Sequence, residues 1–368
     1  MKPDSFQQHL IRVCVLLALS LSGCTTGLVN RPTAGPTAGP TMALPTVYVA
    51  PTVTSTLPPA TAAPLPPTAA PPPTSPAVDT PLPPANTPAA PFSAPTRLTD
   101  TPTLQADAGI LLNPLDGAQL VTVPAGKFRM GSEPGQDPYF WGAEGPAHNV
   151  TLKTFALYKT EVTNAMYQKC AADKACPRPA NYTSETRKDY YTNPEYANYP
   201  VVNVSWVGAV SYCKWAGARL PTEAEWEKAA RGTDGRLFPW GSALPSASLL
   251  NYCDTNCPLG GGDKSQDDGY RDTAPVGNYP EGASPYGALD MAGNVWEWVR
   301  DFFSAGYYQV SPLENPTGPA SGKGHVIRGG SFANPAEALR DVARVGRVAD
   351  DTEAGLGFRC AADAGVFK

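Results

Sequence analysis

The sequence lacks features that would point to several common classes of function. It has only three histidines among its 368 residues, so it offers few imidazole ligands for a metal site. It has no run of lysine or arginine beyond its N-terminus, and its net charge of -5 provides no basic surface for DNA, RNA or anionic lipid. We therefore expect no nucleic-acid partner.

Tryptophan is absent from the first third of the chain, where proline is concentrated. All seven tryptophans lie from Trp141 onward, whereas 21 of the 42 prolines fall between residues 25 and 105. A segment with so few large apolar side chains cannot bury a core. We expect three regions: a signal peptide (1–23), a disordered tether rich in Pro, Thr and Ala (24–105) and one globular domain (110–368).

The N-terminus is typical of an exported lipoprotein. Lys2 and Arg12 precede a short apolar run, residues 13–21, which is too short to span a bilayer but suits a signal peptide. The run ends in Leu-Ser-Gly-Cys, which resembles a bacterial lipobox with Cys24 as the acylated residue. An ordinary signal peptide with a chance cysteine is the alternative. The sequence predicts an extracytoplasmic protein that meets the membrane through its lipid anchor only.

The region between this cysteine and the globular domain is a candidate spacer. Proline-rich chain favours polyproline II at about 3.1 Å per residue, so some eighty residues reach at most roughly 250 Å. Threonine glycosylation, or docking of a domain that binds proline-rich ligands, is the alternative use of this segment.

Residues 110–368 combine turn signals, short strand-like runs and two clear helices, which predicts a loop-rich α+β domain. The first helix is expected to start at Ser205 and end at Gly217. The second is expected to start at a capping box formed by Thr222 and Glu225 and to stop at Gly232.

Six cysteines remain once Cys14 leaves with the signal peptide and Cys24 takes the lipid. They are Cys170, Cys176, Cys213, Cys253, Cys257 and Cys360. An even number in an exported domain favours three disulfides. Proximity in the sequence suggests that Cys170 pairs with Cys176 and Cys253 with Cys257, which leaves Cys213 for Cys360. Other pairings remain open. A metal site at the Cys253 pair is a weaker alternative, because no histidine lies nearby.

Eight short blocks, in order along the domain, resemble those of the formylglycine-generating (sulfatase-modifying) enzyme family. They are VPAGKFRMGS (123–132), EVTN (161–164), RLPTEAEWE (219–227), FPWG (238–241), APVG (274–277), AGNVWEW (292–298), RGGSF (328–332) and GFRC (357–360). The resemblance implies a fold related to the C-type-lectin-like fold and poor in regular secondary structure. It also supports the Cys213–Cys360 bridge, because family members pair cysteines at the two matching positions.

The family's enzymes oxidise a cysteine of a sulfatase peptide to formylglycine with O2 and a copper(I) ion held by two thiolates, the soft ligands that Cu(I) prefers. The matching positions here are Asn334 and Leu339, which cannot supply thiolates. Ser331 matches an active-site serine but does not replace two sulfurs. Ala230 and Arg344 stand where a second family disulfide would be. The resemblance therefore predicts no bound copper and no complete catalytic set.

Iron-dependent relatives, which form carbon–sulfur bonds, need a histidine cluster. Once the signal peptide is removed, only His148 and His325 remain, and we interpret both as structural.

The resemblance also implies two calcium sites. The first uses an asparagine, the next residue's carbonyl and an Asp-Gly-aromatic turn; the second uses backbone carbonyls around Gly-Asn and a glutamate. The matching residues are Asn251, Tyr252, Asp268 and Tyr270 for the first site, and Ala292, Gly293, Val295 and Glu297 for the second. Such oxygen donors suit Ca2+. Taken alone, Asp268 reads as part of a solvated turn and Glu297 as an arginine's partner.

Three functions remain open. The first is a non-catalytic binding or scaffolding module displayed at the cell surface, whose partner is a cell-envelope protein or surface ligand. The second is a formylglycine-generating-type oxidoreductase with an altered active site. The third, sugar recognition, rests on fold analogy alone. Residues 182–199, rich in tyrosine and asparagine, are a candidate recognition face, although those tyrosines can equally pack on the domain.

Overall fold

The computed structural model describes residues 110–368, in which short strands and three α-helices are joined by loops and turns. The expected signal peptide, Cys24 and the expected tether lie outside the described residues. The helices are α1 (Asn164–Ala172), α2 (Trp206–Trp215) and α3 (Glu223–Arg231). Single 3-10 turns occur at Gly142–Glu144, Pro194–Tyr196, Pro280–Gly282, Tyr307–Gln309 and Ala336–Leu339.

The strands form three small sheets. In chain order they are β1 (Leu111–Leu112), β2 (Gln119–Val123), β3 (Gly126–Met130), β4 (His148–Leu152), β5 (Phe155–Tyr158), β6 (Trp296–Phe302), β7 (His325–Arg328), β8 (Arg344–Arg347), β9 (Leu356–Phe358) and β10 (Ala361–Asp363). The sheet orders are β1-β2-β5-β10, β3-β4 and β8-β7-β6-β9. All pairs are antiparallel except β6 with β9. The expected loop-rich α+β class is confirmed.

The caps explain where the two expected helices begin. The hydroxyl of Ser205 accepts a hydrogen bond from the Gly208 amide at 3.2 Å, which satisfies one of the free donors at the start of α2. Thr222 and Glu225 form the expected capping box of α3. Gly232 ends α3 with a φ of +68°, a conformation that glycine adopts without steric cost. Both helix predictions are confirmed.

Buried aromatic and aliphatic side chains from the helices and both four-stranded sheets form the core. The Cys213–Cys360 disulfide lies inside it and joins α2 to the segment between β9 and β10, across 147 residues of sequence. Cys170–Cys176 and Cys253–Cys257 close short local loops. The three disulfides are those favoured by the sequence. No helix among residues 110–368 has the length and apolarity to cross a bilayer.

Candidate functional site

The retained serine lies in a turn that satisfies its own hydrogen bonds. Ser331 follows β7 and is 3% exposed. Its hydroxyl donates to the side-chain oxygen of Asn334 at 2.8 Å, and the same oxygen accepts from the Ser331 amide at 3.0 Å. The Asn334 amide in turn donates to the Ser331 carbonyl at 2.9 Å. Asn334, the first position that matches a copper ligand, therefore stabilises the turn through hydrogen bonds to Ser331.

The second copper-matching position is an apolar packing residue. Leu339 is 0% exposed and packs in a small cluster with Phe238, Leu250 and Tyr252. Its terminal methyl group lies so close to Gly330 that a Cβ there would approach it to 2.4 Å. The side chain thus fills the space beside the Gly-Gly-Ser turn with hydrocarbon, a poor environment for an ion without paired ligands.

The described domain offers no free thiol to replace the missing ligands. All six cysteines among residues 110–368 are bonded in disulfides. Within the same residues, no group of three or more His, Cys, Asp or Glu side chains is arranged to hold a metal ion. The residues around Ser331 therefore do not fit copper(I).

The first calcium-matching set contains one free oxygen donor. The Asn251 side-chain oxygen is buried without a hydrogen-bond partner, while its nitrogen donates to the Asp272 carbonyl at 2.9 Å. The Asp268 carboxylate accepts from the amides of Tyr252 and Tyr270, each at 2.9 Å. Burial raises the pKa of Asp268 to about 7, and nearby Asp254 adds to the shift. A cation would stabilise that carboxylate, so these donors fit Ca2+.

In the second set, the glutamate has an arginine partner. The Glu297 carboxylate accepts two hydrogen bonds from the Arg359 guanidinium, each at 2.7 Å, and one from the Trp226 indole at 2.8 Å. All three side chains are fully buried. This is the arginine contact that the sequence left open as the alternative for Glu297. Calcium at Ala292, Gly293, Val295 and Glu297 stays a prediction.

Two acids that sequence reasoning missed lie beside this pair. One Glu161 oxygen accepts from the Asn294 amide at 2.8 Å, and the other is buried without a partner. Burial and the charge of Asp290 raise the pKa of Glu161, and burial also raises that of Asp290. Glu161 opens the EVTN block and Asp290 precedes the AGNVWEW block, so block position was the available signal. Glu161 therefore lies against a second carboxyl group, Asp290, whereas Glu297 lies against an arginine.

Both histidines are packed against aromatic rings. His325 stacks between Trp206, at a ring distance of 3.7 Å, and Phe302, at 4.3 Å, and burial lowers its pKa. His148 lies against Tyr308 at 4.8 Å. Neither belongs to a metal-ligand cluster among the described residues. Their surroundings agree with a structural role.

Most tyrosines of residues 182–199 pack on the domain. Tyr190 and Tyr191 are buried, and Tyr190 donates to the Pro200 carbonyl at 2.6 Å. The Arg187 guanidinium lies 5.0 Å from the ring centres of both Tyr196 and Tyr199, within cation–π range. Packing was one of the two outcomes that the sequence left open for this segment.

Comparison with known proteins places these observations in a family. The family model of the sulfatase-modifying factor enzyme 1-like domain matches residues 112–364. The chain is 35% identical over 303 residues to the formylglycine-generating enzyme of Streptomyces coelicolor, covering 70% of this chain and 94% of the relative. It is 33% identical over 292 residues to the inactive C-alpha-formylglycine-generating enzyme 2 of Mus musculus, covering 68% and 87%.

A solved structure supports the same fold. PvdO from Pseudomonas aeruginosa superimposes with a TM-score of 0.57 at 27% identity, covering 69% of this chain and 98% of that chain. The fold expected from the eight sequence blocks is therefore confirmed. A relative named as a formylglycine-generating enzyme and one named as inactive both resemble this chain, so similarity alone does not decide its activity.

Proposed function

Since the chain belongs to the family of sulfatase-modifying factor enzyme 1-like domains, whose copper-matching cysteines it lacks, we propose that its domain is a non-catalytic binding module. The domain is held outside the cytoplasm by the lipid at Cys24 and displayed at the end of the proline-rich tether. Its partner is a cell-envelope protein or a surface ligand.

The main support for this proposal is that the described domain has no free thiol. All six cysteines of residues 110–368 are in disulfides, and Asn334 and Leu339 occupy the positions of the copper ligands. A disulfide sulfur carries no thiolate charge, so it cannot replace the soft anionic ligand that Cu(I) prefers. The buried Ser331 hydroxyl donates its hydrogen bond to the side-chain oxygen of Asn334, and a neutral amide is not a general base that could activate it.

We further propose that calcium stabilises the domain without taking part in chemistry. The unpartnered Asn251 oxygen and the Asp268 carboxylate support this proposal, because both are oxygen donors that gain from a hard cation. The calcium would then hold together the loops at Asn251 and Asp268.

A conversion assay tests the lack of catalysis. The purified domain is incubated with copper, O2 and a Cys-x-Pro-x-Arg peptide, and the peptide is analysed by mass spectrometry for an aldehyde. The Streptomyces coelicolor enzyme serves as the active control. We expect the control to convert the peptide and this domain to leave it unchanged; conversion by this domain above the copper-only rate would overturn the proposal.

A further inference from the structure

One disulfide lies at the surface of the domain, whereas the other two are buried. Of the six cysteines among residues 110–368, Cys257 alone is partly exposed, and its neighbours Thr255 and Leu259 are exposed. Its partner, Cys253, is 5% exposed. The cysteines of the other two bridges are between 0% and 8% exposed. A dissolved thiol therefore has access to one bridge in the folded protein.

This surface bridge restrains little of the chain. Its two cysteines are four residues apart, whereas the Cys213–Cys360 bridge closes 147 residues. The surface bridge lies in a segment, residues 251–270, that contains no helix or strand, and the whole of that segment belongs to the described domain. Opening the bridge therefore leaves the helices, the sheets and the two buried bridges in place, and its effect is local.

The small ring that this bridge closes includes an aspartate that holds a neighbouring turn. The Asp254 carboxylate accepts hydrogen bonds from the amide of Asn256 at 2.6 Å and from the amide of Asp268 at 2.5 Å. Asp254 is 0% exposed, and its carbonyl accepts from the Cys257 amide at 3.3 Å. The bridge thus fixes the backbone around Asp254, and Asp254 fixes the start of the turn at Asp268.

We propose that Cys253–Cys257 is a thiol-exchange site: a dithiol reductant opens this bridge while the fold is intact, and the opening loosens the turn that carries Asp268. The reductant's thiolate attacks the Cys257 sulfur, the S–S bond breaks, and its electron pair leaves on the Cys253 sulfur, which takes up a proton. The second thiol of the reductant then attacks the mixed disulfide and releases Cys257. The protein gains two electrons and two protons, and the reductant becomes a disulfide.

The redox state of this bridge should set the affinity of the first calcium-matching site. The Asp268 carboxylate and the Tyr252 carbonyl belong to that site, and Tyr252 directly precedes the ring. A cation must order a loosened turn again at a cost in entropy, so reduction should weaken calcium binding. By thermodynamic reciprocity, calcium should stabilise the oxidised bridge by the same factor. This consequence rests on the proposed calcium site, whereas the thiol exchange itself does not.

Differential alkylation of the full chain tests the thiol exchange. The folded protein is equilibrated with increasing dithiothreitol, its free thiols are alkylated, and mass spectrometry then identifies which cysteines carry the label. We expect Cys253 and Cys257 to be labelled at dithiothreitol concentrations at least about tenfold below those that open either buried bridge. Reduction of another bridge first, or simultaneous reduction of all three, would overturn the inference.

Hydrogen exchange locates the effect of the opening. We expect the amides of residues 252–270 to exchange at least about fivefold faster in the reduced wild type, and in the Cys253→Ser, Cys257→Ser variant, than in the oxidised wild type. The matched control, Cys170→Ser with Cys176→Ser, opens the other short loop and should leave this segment unchanged. Equal exchange of the segment in the reduced and oxidised wild type would show that the bridge does not hold the turn.

Calorimetric titration with Ca2+ measures the coupling. The Cys253→Ser, Cys257→Ser variant should bind Ca2+ about tenfold more weakly than the oxidised wild type. Saturating Ca2+ should lower the reduction potential of the bridge by about 30 mV, which equals a tenfold change for two electrons. Equal affinity of both forms would contradict the loosening of the Asp268 turn. If the oxidised protein binds no Ca2+, the calcium proposal fails, and alkylation and hydrogen exchange still decide the thiol-exchange site.

Discussion

At the residue scale, Leu339 is a packing residue at the position that the family resemblance matches to a copper ligand. Its side chain contacts Gly330 and fills the space between the Gly-Gly-Ser turn and Leu250. A thiolate there would sit among hydrocarbon side chains, where an unpaired charge is costly. The same atoms that exclude an ion now contribute to the core.

Truncating Leu339 measures that contribution. Leu339→Ala removes buried methyl groups and leaves a cavity, so we expect the free energy of unfolding to fall by about 2 to 5 kcal/mol. The matched control is Leu244→Ala, at a leucine that is 72% exposed, which should change it by less than about 0.5 kcal/mol. Urea denaturation provides the comparison, and equal effects of the two changes would contradict the packing role.

Asp301 makes stability depend on pH. Burial, and then the charge of Glu223, raise its pKa to about 8 from an ordinary 3.8. Between these values the folded state holds a proton that the unfolded state has lost. The protonated Asp301 therefore contributes fully to the free energy of unfolding at acidic pH. That contribution is lost as pH rises towards and through about 8, and the loss amounts to a few kcal/mol at most.

Asp301→Asn tests this dependence, because the amide oxygen can still accept from the Glu223 amide, as the Asp301 carboxylate does at 3.0 Å. We expect the variant to lose stability less steeply than the wild type between about pH 5 and pH 8.5, measured by urea denaturation. Asp189→Asn, at an exposed position, should keep the wild-type slope. An Asp301→Asn slope equal to the wild-type slope would count against the raised pKa.

At the scale of the elements, the sequence predicted structure that depends on neighbouring residues, such as helix caps. It did not predict contacts between residues far apart in the chain. The caps of α2 and α3 lie within four residues of the helix starts, so composition and spacing predicted both helices. Helix α1 was missed because it buries few apolar residues and its cap, Thr163, lies inside a block taken only as a family motif. Glu161 accepts a hydrogen bond from Asn294, and Glu297 accepts two from Arg359. Both partners are far away in the sequence, so no local sequence pattern predicts these contacts.

The disulfides differ in how much chain they restrain. In the chain-entropy model, closing 147 residues contributes about 5 kcal/mol, and closing six contributes about 2 kcal/mol. We therefore expect Cys213→Ala with Cys360→Ala to lower the free energy of unfolding more than Cys170→Ala with Cys176→Ala. Guanidinium denaturation of the two double variants gives the order. A larger loss from the short loop would contradict this ranking.

At the scale of the whole molecule, calcium is tested better by a chelator than by mutating Glu297. Glu297→Ala would leave Arg359 buried without its anion, and that alone costs about 3 to 5 kcal/mol whether or not calcium binds. We expect EDTA to lower the melting temperature of the wild type by several degrees and added Ca2+, but not Mg2+, to restore it.

The matched variants for this experiment are Asn251→Ala and Asn256→Ala. Asn251 presents the free buried oxygen, whereas the Asn256 side chain donates to exposed Asp267. Asn251→Ala should reduce the effect of EDTA, because it removes a ligand of the first site, and Asn256→Ala should keep it. A melting temperature that EDTA leaves unchanged in the wild type would rule out structural calcium.

A Cu(I) competition titration measures whether the domain can hold the copper ion that family catalysis requires. The domain is mixed anaerobically with Cu(I) bound to a coloured chelator, and the loss of colour reports transfer of copper to the protein. We expect no transfer to the wild type, because the cysteines of residues 110–368 are in disulfides, and transfer to the Asn334→Cys, Leu339→Cys variant, which places a thiolate pair beside Ser331. Tight uptake of one Cu(I) by the wild type would contradict this expectation.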